Sequence, residues 1–210
     1  MMRQIKSFKN IIFDLGNVIV PLDYTLTTKG FEQLGFKDWN RNFHVLKEQK
    51  VFENIEKGLI SEAEFLVALR PYMPSDVTDL QILNAWGAML TDFPVERVDL
   101  VRKLRESHRV FLLSNTNQPH IDYFKALFRK KYNYEMSELF EIEFYSNDLK
   151  LAKPHSDIYY KALEIANIKA EETLFIDDLI ENIEGANKTG IHGYWLHDET
   201  IVDVFSKLWI

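Results

Sequence analysis

The sequence predicts an α/β protein, a doubly wound parallel sheet interrupted after its first strand by an inserted helical cap. Three observations lead there. Short apolar or β-branched runs alternate with helical patterns through most of the 210 residues, and such alternation implies parallel pairing with right-handed crossovers and helices on both faces. Residues 23–90 carry helical periodicity and no strand pattern. Polar residues follow four of the apolar runs, the arrangement of a ligand site at the carboxyl edge of an open sheet.

Five runs read as strands: residues 10–13, 110–113, 142–145, 173–176 and 192–196. Helical patterns cover residues 95–107, with Val98, Val101 and Leu104 on one stripe, and residues 121–128, 156–166 and 180–189. Within the insert, helices are expected over residues 25–34, 39–50, 61–71 and 76–90, punctuated by Gly35, Gly58 and Pro74. Ser61-Glu62-Ala63-Glu64 reads as a capping box, Ser61 accepting from a first-turn amide while Glu64 reaches back. The division expected is therefore a core of residues 1–22 and 91–210 with a cap of residues 23–90. A helical insert directly after the first strand sits over the carboxyl edge, where a lid belongs; a bundle without a gating role is the alternative.

Composition narrows the function classes. The chain is 46% hydrophobic and 13% aromatic, enough for a sizeable core and against disorder. Asp and Glu number 32 against 25 Lys and Arg, a net charge of −7 that repels nucleic acid and anionic membranes. The densest basic run, Arg129-Lys130-Lys131, reads as a solvated helix end. Cysteine is absent, which excludes disulfides, thiolate catalysis and zinc–thiolate sites. Residues 1–10 carry Arg3, Lys6 and Lys9 but no apolar stretch of signal-peptide length, and nowhere do about 18 apolar residues run together. The cytoplasm is the expected compartment, with neither nucleic acid nor membrane as partner.

The chemistry is expected at four strand ends. Asp14 follows Ile11-Ile12-Phe13 and precedes Leu15-Gly16-Asn17-Val18; Ser114-Asn115-Thr116-Asn117 follows the second run; Lys153-Pro154 lies a loop after the third; Asp177-Asp178 ends the fourth. Singly, each has an ordinary explanation: turn residues at Asp14 and Ser114-Asn115, or acids capping the helix from Ile180. Together they bring two acidic loops, a hydroxyl-amide loop and a lysine to one sheet edge. A carboxylate can attack phosphorus to form an acyl phosphate, so Asp14 is the candidate nucleophile. Its approach to a phosphate dianion demands compensating positive charge, which Lys153 and a divalent cation supply. The acid pair suits a hard oxygen-preferring ion such as Mg²⁺. Ser114 and the amides near Asn115 offer donors to phosphoryl oxygens.

Other candidates have plainer readings. His44, His108, His120, His155, His192 and His197 lack metal-ligand spacing and read as surface or packing residues. Trp39, Phe43, Phe52, Phe65, Tyr72 and Trp86 fall at helical spacing and read as the insert's core. No glycine-rich nucleotide-binding loop is present.

With these loops assembled, the chain resembles the hydrolases of the haloacid dehalogenase (HAD) superfamily. Phe13-Asp14-Leu15-Gly16-Asn17-Val18 matches the first superfamily motif, Leu113-Ser114-Asn115-Thr116-Asn117 the second, Lys153-Pro154 the third and Phe175-Ile176-Asp177-Asp178 the fourth, with Asn182-Ile183-Glu184-Gly185-Ala186 extending it. The wording is most similar to small bacterial sugar-phosphate phosphatases, including the α-D-glucose-1-phosphate phosphatases. The resemblance implies a Rossmann-like core, a helical cap and Mg²⁺-dependent hydrolysis of a small phosphate monoester through an aspartyl-phosphate. It makes Asp14 the nucleophile and a metal ligand, Gly16 a ligand through its carbonyl, Asp178 the fourth-motif ligand, and Asp177 and Asn182 supporting residues.

The chain departs from that pattern in three places. Most superfamily phosphatases carry a second aspartate, the general acid and base, two residues after the nucleophile; here that residue is Gly16. Lys150 and His155 replace a glycine and an aspartate often found around the third motif. Metal-independent 2-haloacid dehalogenases also lack the second aspartate, because a departing halide needs no proton, and Lys153 with Tyr159 suits their site. They do not carry an acid pair in the fourth motif, so Asp177-Asp178 favours the phosphatase. A non-catalytic phosphometabolite-binding protein is the remaining alternative, against which Asp14, Lys153 and Asp178 are all present.

Overall fold

Five short strands pair in parallel into one sheet: β1 (Asn10–Phe13), β2 (Arg109–Ser114), β3 (Glu143–Tyr145), β4 (Thr173–Asp177) and β5 (His192–Trp195), in the spatial order β3-β2-β1-β4-β5. The computed structural model describes residues 7–208; residues 1–6, with the basic Arg3 and Lys6, and residues 209–210 lie outside the described residues. All four residues of β1 are buried, as a central parallel strand covered on both faces requires. Its side chains alternate between two cores. Ile11 and Phe13 join Val98, Val101, Phe124 and Phe128 on one face, while Ile12 joins Phe111, Tyr159, Phe175 and Ile183 on the other. The strand order reverses beside β1, so the crevice at this switch point opens between the carboxyl ends of β1 and β4.

Between β1 and β2 the chain forms α1 (Tyr24–Gln33), α2 (Trp39–Glu48), α3 (Val51–Glu56), α4 (Glu62–Leu69), α5 (Asp79–Gly87) and α6 (Val95–Leu104). The first five share their own apolar cluster, including Phe31, Phe65, Ile82 and Trp86; α6 packs on the sheet through Val98 and Val101. The chain leaves and re-enters the sheet layer side by side. Leu22 and Leu90 form an antiparallel bridge, and the Asp23 amide donates to the Met89 carbonyl at 2.9 Å. The remaining helices are α7 (Gln118–Tyr132), α8 (Ser146–Leu149), α9 (Ser156–Ala166), α10 (Ile180–Asn187) and α11 (Ile201–Leu208).

The expected strands recur within a residue or two; the helices differ for local reasons. The Ser61–Glu64 capping box forms as expected, and a second box, Thr78 with Gln81, starts α5 at Asp79 rather than at residue 76. Lys50 at φ 58° breaks the expected 39–50 helix and separates α3 from α2. Asn117 caps α7 and Pro119 fits its first turn, so that helix begins before residue 121. No element was expected after residue 196, yet α11 buries Ile201, Val204 and Phe205 against the β1 core. Arg129-Lys130-Lys131 is a helix end but not a merely solvated one: Lys131 Nζ lies 2.5 Å from Asp92 Oδ2 and 2.7 Å from the Phe93 carbonyl. Trp39, Phe52 and Tyr72 are only partly buried against the insert's core, which Phe65 and Trp86 do enter.

One close approach fixes the loop carrying Lys153. A Cβ at Gly185 in α10 would stand 2.2 Å from the Pro154 carbonyl oxygen, so only glycine lets the helix and loop meet. Gly185→Ala is expected to destabilise the protein by about 1–3 kcal/mol, the range for overpacking. Urea denaturation checks this; an unchanged midpoint would contradict the packing.

Candidate active site

Lys153 gathers three strand ends around one ammonium. Its Nζ donates to Asp14 Oδ1 at 2.6 Å, to Asp177 Oδ2 at 2.7 Å and to the Leu113 carbonyl at 3.0 Å. Each of its three protons thus has an acceptor, contributed by the ends of β1, β4 and β2. Burial alone would depress the lysine, but the carboxylates of Asp14 and Asp177 outweigh it and hold its pKa above the ordinary value. Burial pushes the Asp14 carboxyl up to about 7, against the pull of Lys153.

The lysine is held from behind by Asn115. Its Nδ2 donates to the Lys153 carbonyl and its Oδ1 accepts from the Lys153 amide, both at 2.9 Å. The Asn115 side chain is therefore a clamp on the lysine loop, and its main chain is what remains for a substrate. Ser114 ends β2 and is buried. Two residues on, Thr116 donates its amide to Ser146 Oγ at 2.9 Å.

Asp177 is fully buried and densely bonded. Asn182 Nδ2, from the first turn of α10, lies 3.0 Å from both its oxygens, and the Leu179 amide donates to Oδ1 at 2.8 Å. Tyr159 in turn donates its hydroxyl to the Asn182 carbonyl at 2.7 Å. Asp178 is more open; burial raises its pKa, and a 2.8 Å hydrogen bond from Asn17 Nδ2 opposes the rise. Asp14, Asp177 and Asp178 each offer an oxygen within 4.8 Å of the others, a donor set that fits a hard divalent cation. Gly16 lies alongside, where a Cβ would come 2.8 Å from Leu22 Cδ1. Its carbonyl accepts from the Val18 amide at 2.6 Å, leaving a second lone pair.

All eight residues expected at the site thus fall on or beside the carboxyl edge. Sequence reasoning missed a second network where the insert meets this edge. Asn117 Oδ1 accepts from Trp86 Nε1 at 3.2 Å and from the His120 amide at 3.0 Å; Asn117 Nδ2 lies 3.2 Å from His120 Nδ1, and His120 Nε2 lies 3.1 Å from the Trp86 carbonyl. A carbonyl only accepts, so Nε2 carries a proton; Asn117 Nδ2 is a donor, so Nδ1 accepts from it and the ring is neutral. The local signal, Asn before Pro at a helix start, was present, but pairing with Trp86 was not legible. Next to the network lies a cavity of about 870 Å³ whose lining includes Tyr24, Phe43, Phe52, Glu56, Trp86 and His120.

Two carboxylates and a lysine buried at the switch point of a parallel sheet, beside a helical insert, define an enzyme site at the strand ends of a doubly wound α/β fold. Residues 8–190 match the model of the haloacid dehalogenase-like hydrolases, and the chain belongs to that family. It is 25% identical over 201 residues to D-ribitol-5-phosphate phosphatase of Bacteroides thetaiotaomicron, covering 92% of this chain and 98% of that protein. It is likewise 25% identical to the sesquiterpene phosphatase astK of Aspergillus oryzae, covering 91% of each. A HAD family enzyme of B. thetaiotaomicron, solved with magnesium and inorganic phosphate, superposes with a TM-score of 0.87 at 35% identity over 94% of this chain and 99% of that one. A dehalogenase superposes with a TM-score of 0.63 at 16% identity over 97% of this chain and 96% of that one, a likeness of fold alone.

The neutral His120 sets a pH dependence. Burial lowers its pKa to about 4 from the 6.5 of an unfolded histidine. As pH falls from 6.5 towards 4, the unfolded chain takes up a proton that the folded one refuses, so this residue's share of stability is lost at up to about 1.4 kcal/mol per pH unit. Denaturation of His120→Gln across this window is expected to show a shallower pH slope than wild type; equal slopes would contradict the buried neutral ring.

Proposed function

We propose that the protein is a Mg²⁺-dependent phosphatase that hydrolyses a small phosphate monoester, a sugar phosphate being the class favoured, through an aspartyl-phosphate on Asp14. The observation that carries this reading is the Lys153 ammonium set between Asp14 and Asp177, with Asp178 within cation-sharing distance. The named phosphatases among the relatives and the magnesium and phosphate in a neighbour of 35% identity support it.

In this mechanism Lys153 holds one oxygen of Asp14 and leaves the other, Oδ2, to attack phosphorus. Ser114 and the main-chain amide of Asn115 bind phosphoryl oxygens, while Lys153 neutralises charge that develops on them. Asp14, Asp178 and the Gly16 carbonyl would hold Mg²⁺, which when bound would neutralise the phosphate and the carboxylate that meets it. Asp177 and Asn182 do not touch substrate; they fix the lysine and the fourth-strand loop.

Residues 23–90 act as the cap, the paired crossings at Leu22 and Leu90 serving as its attachment. The cavity that the insert encloses with His120 receives the alcohol portion of the ester. Among the described residues no helix is long and apolar enough to cross a membrane, and the cytoplasm is the compartment this reading assigns. The net charge of −7 directs the protein to small molecules rather than nucleic acid.

A phosphate-release screen over sugar phosphates and 4-nitrophenyl phosphate, with and without Mg²⁺, tests the proposal. Activity is expected only with the metal, and Asp14→Asn is expected to lose at least about a thousandfold in turnover. Full activity in excess chelator would refute the metal role. Chloride release from a 2-chloro acid in place of phosphate release would select the dehalogenase, and phosphate binding without turnover of any ester the binding protein.

A further inference from the structure

Gly16 leaves the ester cleavage without a proton donor on the nucleophile loop. Three carboxyls line the cavity that the insert encloses together with His120, namely Glu48, Glu53 and Glu56. Glu48 lies 3.2 Å from His44 Nε2, and Glu53 accepts from Lys57 Nζ at 2.6 Å. The carboxyl of Glu56 has no hydrogen-bond or ion-pair partner among the described residues. It is nonetheless partly buried, and burial pushes its pKa up to about 7, with the charge of Glu53 adding to the effect. Near neutral pH such a group is held in both protonation states, which is what a proton shuttle requires.

Its main chain is fastened to the sheet edge. Ser146 Oγ lies 2.7 Å from the Glu56 carbonyl and accepts from the Thr116 amide at 2.9 Å, two residues past Ser114. Just beyond, Lys150 Nζ donates to the Gly58 carbonyl at 2.5 Å. This gives the otherwise unexplained Lys150 a place: it docks the insert's α3–α4 turn onto α8. Tyr24, another lining residue, has its phenol raised by burial and then by the charges of Asp178, Glu56 and Asp14. The phenol therefore stands within electrostatic reach of both the acid cluster and Glu56.

We propose that Glu56 is the general acid of ester cleavage and the general base of the hydrolysis that follows, in place of the missing aspartate; this rests on Asp14 as nucleophile. In the first half-reaction Asp14 bonds to phosphorus and the ester P–O bond breaks. The departing oxygen keeps the electron pair and takes the Glu56 proton, leaving an alcohol, an aspartyl-phosphate and a Glu56 carboxylate. In the second, that carboxylate takes a proton from water as the water oxygen bonds to phosphorus, and the P–O bond to Asp14 breaks. Inorganic phosphate, the Asp14 carboxylate and a protonated Glu56 result.

The test is single-turnover kinetics, enzyme in excess and Mg²⁺ present, with 4-nitrophenyl phosphate, whose leaving group needs no proton, and phenyl phosphate, whose leaving group does. Glu56→Gln is expected to slow phenol release about 100-fold. Nitrophenolate release should stay within about threefold of wild type, followed by retarded phosphate release because the base is gone. Glu56→Asp, which keeps an acid, should recover part of the phenol rate. Equal losses on both esters, or no loss on phenyl phosphate, would overturn the assignment, since a binding or structural role does not depend on the leaving group. Asp14→Asn is assayed alongside: if it releases nitrophenolate at the wild-type rate, the nucleophile reading fails, whatever Glu56→Gln does.

Discussion

The ion triad of Asp14, Lys153 and Asp177 is the constraint on which the rest of the site depends. Each charge is buried, and an unpaired ion in such surroundings costs several kcal/mol. β1 and β4 are neighbours in register, Phe13 opposite Ile176, so the residues that follow them bring two acids together at the sheet edge. Without a cation between them these carboxylates would repel, and one would stay protonated. Lys153 resolves the conflict from a different loop. That requirement explains why the loop is held so firmly, by Asn115 across its peptide and by the close contact of Gly185 with Pro154. Asp177, with Asn182 and the Leu179 amide also on it, is the anchored partner; Asp14 keeps one oxygen clear of the lysine.

The insert is joined to this edge by aromatic stacking as well as by hydrogen bonds. Trp39, Phe43, Phe52, Trp86 and His120 pack ring against ring in succession, with centroids 4.7 to 5.3 Å apart and every pair but Trp39–Phe43 stacked. The series runs from α2 to the first turn of α7. It ends at Asn117, on the same loop as Ser114 and Asn115. One short loop therefore clamps the lysine and receives the insert, which ties the packing of the insert to the geometry of the strand ends. The stack also lines the cavity, so the rings that hold the insert together are the ones that, under the proposed function, meet the substrate's alcohol portion.

Much of this architecture was legible in the sequence because burial leaves a periodic trace. Ile11-Ile12-Phe13 and Leu174-Phe175-Ile176 read as central strands since both of their faces are covered, and the polar residue ending each run marks the sheet edge. What stayed hidden depends on contacts between residues far apart in the chain. Nothing around Asn115 says that its side chain grips Lys153 rather than a ligand, and nothing around Glu56 says that its carboxyl alone among the cavity acids lacks a partner. The amphipathic α11 was missed for a different reason. Its apolar stripe of Ile201, Val204 and Phe205 is present in the sequence, but nothing local says that the stripe lies against the β1 core.

The central claim is that the carboxylate of Asp14, poised by Lys153, makes the bond to phosphorus. The most direct measurement is mass spectrometry of peptides from enzyme acid-quenched during a single turnover of 4-nitrophenyl phosphate. The account predicts one phosphoryl group, on the peptide bearing Asp14, that appears with nitrophenolate and disappears with phosphate release. A phosphoryl group on any other side chain would contradict it, as would phosphate release with the Asp14 peptide unmodified at every quench time.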